Sequence, residues 1–463
     1  MKRRSENAFT TSKCCANQLD ESKKSFQKWS KMNKMPFTVD CNSDENDDDN
    51  TFMKALGEAV GDSKVVALSE GCHNNKEMMD IHFRIIKYLV KNHGFNVVMA
   101  ESGFPESRIA HDYIYGSGCS KEEKNRVYEK GLNIMYAKWK EGRQLIEWMR
   151  NYNKDSGNNR SKLQYYGTDI GGFYENWVTP LQDRVIDYLK VVDEPYEQKL
   201  VQMLEPVFKY MKSDARYNYS NEMEPEVKNQ LALDLDRAID HFTKNELRYI
   251  ELSSSHEYDW ARQSLISFQM AENYYRNYDG MQNFSSSKHV GLNGREIAMY
   301  CNIRWIMQQN PNAKCILINH IIHTKTETQY QGDIWNFFTP LGHMLRQLLG
   351  KDYYVLGIVY GGGTFWNNWQ SERKKGSGQR AITGIPSPRD DGIEAILSCI
   401  SSDTNKPNFF LNFDDAPASA WYWLNTLTSF RENDYFIKMK PIEWNGCIYL
   451  ERVNAATPVD VDS

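Results

Sequence analysis

No C-x-x-C pair occurs among the nine cysteines, which are scattered and odd in number. That argues against a disulfide framework and reads as free thiols in a reducing compartment. No stretch approaches the roughly 18–20 apolar residues of a membrane helix. The basic start "MKRRSENAFTTSKCCANQLDESKKSFQKW" has no apolar segment of the secretory kind. A cytoplasmic protein without a membrane partner is expected. The net charge of -5 over 463 residues leaves no basic footprint for nucleic acid. Three catalytic signatures are missing as well: the G-x-S-x-G elbow, H-E-x-x-H, and a phosphate-cradling glycine loop, since Gly361–Gly363 lacks both the spacing and the lysine.

Aromatic residues are plentiful at 13%, including 12 Trp and 27 Tyr. They suit core packing, or the wall of a cleft for a bulky ligand. The segment "CNSDENDDDN" reads as a solvated acidic loop, without the glycine and final Glu of a calcium-binding loop.

Apolar runs and helical periodicity then alternate. "SKVVALSE", "NVVMAE", "LQYYGTD", "AKCILIN" and "YYVLGIVY" read as strands, with weaker ones at "NFFLNF" and "NGCIYLERV". "NNKEMMDIHFRIIKYLVKN", "FPESRIAHDYIYG" and "WKEGRQLIEWMRNYN" read as helices between them. This order predicts an α/β fold with a mostly parallel sheet flanked by helices. From Thr179 on, about a hundred residues carry helical periodicity and no convincing strand, which predicts a large inserted helical subdomain forming a cleft. The expected divisions are a polar tail at 1–27, the α/β core at 28–178, the helical insertion at 179–290 and the rest of the core at 291–463.

Four of the strands end in ionisable residues: Glu70 with His73, Glu101, Asp169, and His320 with His323. In a parallel sheet the carboxyl ends lie along one edge, where ligands bind. Each residue has a bland reading, Asp169 as a helix cap and Cys72 as a small packing residue, but their coincidence predicts one polar site. A neutral imidazole oriented by a carboxylate can take a proton from water, which suits hydrolysis of an activated carbonyl without a covalent intermediate. Two alternatives stay open: a Zn2+ or Mn2+ site built from the same His and carboxylates, and a non-catalytic pocket that sequesters a bulky ligand.

The run "VVALSEGCHNNKEMMDIHFRIIKYLVKNHGFNVVMAESGFPE" resembles the opening signature of the erythromycin esterase family. The similarity continues in "WKEGRQLIEWMRNYN", "YYGTDI", "GREIAMYCNIRW", "CILINHIIHTKT" and "TPLGHMLRQLLGKDYYVLGIVYGGG". It runs from about Lys28 to about Val453. The resemblance implies an esterase that opens the macrolactone of macrolide antibiotics without a bound cofactor. His73 would be the general base, Glu70 and Glu101 the acids that orient the base or the water, and His320 and His323 residues of the same cleft. Asp169 and Lys325 would lie with the substrate. Ser69 replaces the family's Gly, Asn319 its Ala and Ile321 its Asn. His82 stands where the macrolide esterases carry an Arg, with Arg84 nearby on the same helix as a candidate substitute. These departures favour keeping another ester of a natural product or cell-surface metabolite as an alternative substrate.

Overall fold

The computed structural model describes residues 2–39, 47–116, 120–155, 161–171, 181–210, 219, 221–277, 289–328, 338–367, 381–402, 406–432 and 435–459. In chain order its main helices are α1 (Lys2–Asn33), α2 (Asp47–Val60), α3 (Lys76–His93), α4 (Phe104–Tyr115), α5 (Lys140–Asp155), α6 (Glu194–Phe208), α7 (Pro225–Lys244), α8 (Ser255–Arg276), α9 (His289–Gln309), α10 (Leu341–Leu349) and α11 (Ile393–Ser401). The strands are β1 (Met35–Phe37), β2 (Val65–Glu70), β3 (Phe95–Gly103), β4 (Gln164–Asp169), β5 (Lys314–His320), β6 (Tyr353–Asn367), β7 (Ala381–Gly384), β8 (Asn408–Asn412), β9 (Thr428–Glu432), β10 (Tyr435–Met439) and β11 (Gly446–Val453).

The main sheet runs β1-β8-β11-β6-β2-β5-β3-β4, with β7 paired to β6, while β9 and β10 form a separate hairpin. The six strands from β11 to β4 are mutually parallel, and β8, β1 and β7 join antiparallel. Apolar runs are what parallel strands need, because helices cover both faces. β2 shows it residue by residue. Val66 and Leu68 enter the core beneath α2 and α3, and Val65 and Ala67 enter the core on the opposite face. α3 starts where the sequence predicts an Asn start. The Asn75 side chain accepts from the Met78 amide at 3.0 Å, and Gly94 closes the helix in the left-handed region at φ 73°.

Between β4 and β5 the described residues form helices and no strand. They build a third apolar core of their own, from Ile170 and Leu181 through Leu235 and Phe242 to Tyr275 and Ala298.

The polar tail expected at 1–27 departs from what is seen. α1 spans Lys2–Asn33, and Phe26 and Trp29 are buried in the core on the β8 side of the sheet. Phe26 stacks on Trp423 with centroids 4.6 Å apart. Two aromatics on one face anchor a helix whose composition is otherwise polar. Asp47 to Asn50 of the acidic segment open α2, and residues 41–46 lie outside the described residues. No helix among the described residues is long and apolar enough to cross a membrane.

Candidate active site

The parallel strands deliver their carboxyl ends to one edge. β2 ends at Glu70 opposite His320 of β5, in register. β3 changes register against β4 between Ala100 and Gly103, and this bulge lies at Glu101. Gly167 of β4 faces that bulge so closely that a Cβ there would sit 2.3 Å from the Gly103 carbonyl oxygen. Only glycine lets β4 approach, which brings Asp169 to the same edge.

His73 Nδ1 and Glu70 Oε1 are 2.5 Å apart, and the His73 ring lies 4.4 Å from that of His320. Glu101 Oε2 accepts from the His320 amide at 3.1 Å. Its Oε1 lies 2.9 Å from Arg295 Nη2 and 3.5 Å from His323 Nε2. Arg295 meets Asp169 with two nitrogens, Nε at 3.0 Å from Oδ1 and Nη2 at 2.6 Å from Oδ2. His323 Nδ1 contacts Glu296 Oε1 at 2.6 Å, and the other oxygen of Glu296 accepts from the Leu341 amide at 2.8 Å. Glu70, His73, Glu101, Asp169, His320 and His323 therefore form one cluster. Asp169 is an ion-pair partner of Arg295, and its Oδ1 also accepts from the Ile170 amide at 2.8 Å.

Burial pushes these groups in different directions. Burial opposes charge on His73, but the Glu70 carboxylate, and Glu101 behind it, carry its pKa upward. His323 is pushed up to about 10, since Glu296 and Glu101 outweigh its burial. His320 goes well below the ordinary value, first through burial and then through the neighbouring His73. Burial alone would raise Glu101, yet His323 and Arg295 hold it well below the usual carboxylate range. Environments that split the pKa values of like groups are the mark of an acid–base site. Among the described residues no group of three or more His, Cys, Asp and Glu is arranged to hold a metal ion. The donors of this cluster face one another and Arg295.

Arg295 and Glu296 of α9 are missing from the residues singled out in the sequence. They lie in "GREIAMYCNIRW", one of the segments that carry the family resemblance, but helical reading assigns an adjacent Arg-Glu pair to solvent. The helix is in fact inverted there, with Glu296 1% exposed and Ile297 50% exposed. His82 is buried with Nδ1 3.8 Å from Glu70 Oε2. Arg84 departs from expectation. Two residues further on, the helix has turned about 200°, and Arg84 donates to the Thr38 carbonyl rather than standing in at the cluster. Lys325 is buried, donates to the Lys438 carbonyl at 3.4 Å and neighbours Glu443. The Ser69 hydroxyl meets that of Thr324 at 2.6 Å, and Ile321 packs into the apolar core. Cys72 is fully buried, and burial drives its thiol pKa up, so it fills space and stays a thiol.

A model of the erythromycin esterase family matches residues 90–435. The chain belongs to that family. It is 25% identical over 393 residues to erythromycin esterase type II of Escherichia coli, covering 78% of this chain and 86% of that one. Its fold matches a protein of known structure from Bacillus cereus with a TM-score of 0.76 at 19% identity, covering 95% and 99% of the two chains. A mutant of the erythromycin esterase EreC in its open conformation matches with a TM-score of 0.71 at 17% identity, covering 92% and 99%. Membership makes the chain an ester hydrolase.

Proposed function

We propose that this family member opens the macrolactone ester of macrolide antibiotics with water activated by His73. The observation that carries the reading is the Glu70–His73 pair at 2.5 Å. Its imidazole is partly exposed at the sheet edge, while the remaining charged groups of the cluster are buried. Glu70 holds Nδ1, which leaves Nε2 as the nitrogen that takes a proton from water. The resulting hydroxide adds to the lactone carbonyl. The tetrahedral intermediate then expels the ring alkoxide, which takes the proton back from the imidazolium. Carboxylic acid and alcohol are the products.

His320, kept neutral by burial and by His73, is suited to donate to the carbonyl oxygen or to the leaving oxygen. Glu101, Asp169 and Glu296 against Arg295 and His323 form a fixed field behind the reaction. His82 and Lys325 contribute to the wall around the substrate. No step calls for a metal. A host expressing such an enzyme gains resistance to the antibiotic.

Incubation of the purified protein with erythromycin, followed by mass spectrometry, is expected to show the gain of one water, and His73→Ala is expected to abolish it. An unchanged mass for erythromycin and for a panel of other macrolides overturns the macrolide reading. A second reading keeps the chemistry and changes the ester. It is favoured by Ile321, which is committed to the core, and by His82, which is committed to Glu70. Turnover of other lactones alone would select it.

A further inference from the structure

The turn that carries His73 is held by the end of β6, by Trp139 just before α5 and by the segment that follows β11. Asn74 is the only non-glycine residue with positive φ among the described residues, at 59°. Its side-chain oxygen accepts from Trp139 Nε1 at 2.9 Å, and its amide nitrogen donates to the Trp366 carbonyl at 3.1 Å. Trp139 and Trp366 stack, with ring centroids 5.6 Å apart. The Asn74 carbonyl accepts twice, from the Trp366 amide at 3.3 Å and the Ala456 amide at 3.0 Å. Trp366 Nε1 donates in turn to the Ala456 carbonyl at 2.7 Å.

Segment 454–459, which follows β11, fastens the surroundings of this residue. The Lys76 amide donates to the Asn454 carbonyl at 2.8 Å, Lys140 to Thr457 at 2.9 Å, and Val459 to Lys138 at 3.1 Å. Asn454 also binds the Glu77 carboxylate with its side-chain nitrogen at 2.7 Å. On the other side of His73, Asn75 Nδ2 donates to the Cys72 carbonyl at 2.7 Å and the Tyr360 hydroxyl to the Gly71 carbonyl at 3.1 Å.

A non-glycine residue in the left-handed region costs about 1 kcal/mol or more and persists where its surroundings over-determine it. Asn is the side chain that tolerates this conformation while bonding locally. The effect of this conformation is to turn the chain sharply between His73 and α3.

We propose that Asn74 is a positioning residue, clamped by Trp139, Trp366 and segment 454–459, that aims the His73 imidazole at Glu70 and the cleft. The proposal deepens the reading of His73 as the base and rests on it. Positional errors of this kind are costly, since a displacement near 1 Å lowers a catalytic rate by up to about 100-fold.

The test uses the full chain with Asn74→Ala, which keeps neither the side-chain bonds nor an easy left-handed backbone, and Asn74→Gly, which keeps only the backbone. A third variant ends at Val453. Two readouts are taken on folded protein, judged by unchanged far-ultraviolet circular dichroism. One is hydrolysis of p-nitrophenyl acetate. The other is the NMR titration of histidine-ring-labelled protein, with the His73 signal assigned by His73→Ala. The titratable and charged groups around that ring are Glu70 of β2, Glu101 of β3, and His320 and His323 at the end of β5.

In Asn74→Ala, kcat is expected to fall roughly 10- to 100-fold with KM changed far less. The His73 midpoint is expected to move down as its contact with Glu70 loosens. Asn74→Gly should show a smaller change of the same sign, and the shortened chain a change like that of Asn74→Ala. Should the two Asn74 variants fold and keep both kcat and the His73 midpoint, the proposal is overturned. Full turnover in His73→Ala sinks the base assignment instead, and the NMR midpoint still judges the positioning.

Discussion

Two carboxylate–imidazole pairs sit at the same sheet edge, and they are built alike. Glu70 meets His73 Nδ1 at 2.5 Å, and Glu296 meets His323 Nδ1 at 2.6 Å. Their surroundings differ. The His73 side chain is 19% exposed and that of His323 is 7% exposed. Glu70 turns its second oxygen toward His82, a neutral imidazole, whereas Glu296 turns its own to a backbone amide. His323 Nε2 is enclosed by Arg295 and Glu101. One bond therefore gives two jobs. His323, pushed up to about 10 by Glu296 and Glu101, is enclosed among buried charges. His73 is reachable from outside, as the proposed role of exchanging a proton in each cycle requires. On the proposed mechanism, the neighbours of the pair, rather than the pair itself, decide which is the base.

The largest effect expected from this contrast is in His73→Ala, with kcat lowered by about 10³-fold or more and thermal stability little changed. A comparable loss in His323→Ala with stability retained would erase the distinction between the two pairs.

Next come the carboxylates. Glu296→Gln breaks a buried charge pair and should cost roughly 3 kcal/mol in urea unfolding. Glu70→Gln should cost less, about 2 kcal/mol, because its carboxylate is buried but its imidazole partner keeps some contact with solvent. Glu70→Gln should also act on the pH profile. The base works when neutral, so kcat/KM falls as pH drops through the raised pKa of His73, and removing the carboxylate moves that acid limb to lower pH. An acid limb left in place would show that His73 is not the group titrating.

The smallest effect concerns His82, whose pKa is lowered from 6.5 to about 4 by burial, with Glu70 opposing. Below pH 6.5 the unfolded chain binds a proton that the folded chain refuses. Stability from this group is therefore complete above 6.5 and is lost as pH falls toward 4. His82→Gln should recover on the order of 1 kcal/mol at pH 5.5 and nothing at pH 8, read from denaturant melts at the two values. Equal changes at both would mean that His82 acts by packing alone.

The part of the site legible in the sequence is the part carried by strands. Buried parallel strands are apolar throughout, so a charged residue at the end of "VVALSE" or "CILINH" stands out, and parallel order alone brings Glu70, Glu101, Asp169 and His320 to one edge. Arg295 and Glu296 sit on a helix, where charge is ordinarily read as solvent-facing, and the family-like segment "GREIAMYCNIRW" that holds them is the one signal pointing elsewhere. The same limit misplaces Arg84, since proximity along a helix is not proximity on its surface. β1, β7 and the β9–β10 hairpin are short or lie at an edge, and they lack the long apolar run that announces a central strand. Phe26 and Trp29 carry too little apolar surface to reveal α1 against its polar composition. Asn74 was visible as a letter, but its left-handed backbone depends on Trp139, Trp366 and Ala456, residues remote in the sequence.

The bond between Glu77 and Asn454 joins residues 377 positions apart. Chains are made from the amino end, and elements assemble as they emerge from the ribosome. β2, α3 and β3 are available early, so the reactive turn exists as sequence long before segment 454–459 has been translated to brace it. A partly synthesised or prematurely ended chain would hold Glu70 and His73 without the contacts that fix the turn between them and α3. A chain cut short near Val453 is therefore expected to assemble its sheet and to hydrolyse esters roughly 10- to 100-fold more slowly, the change expected of Asn74→Ala.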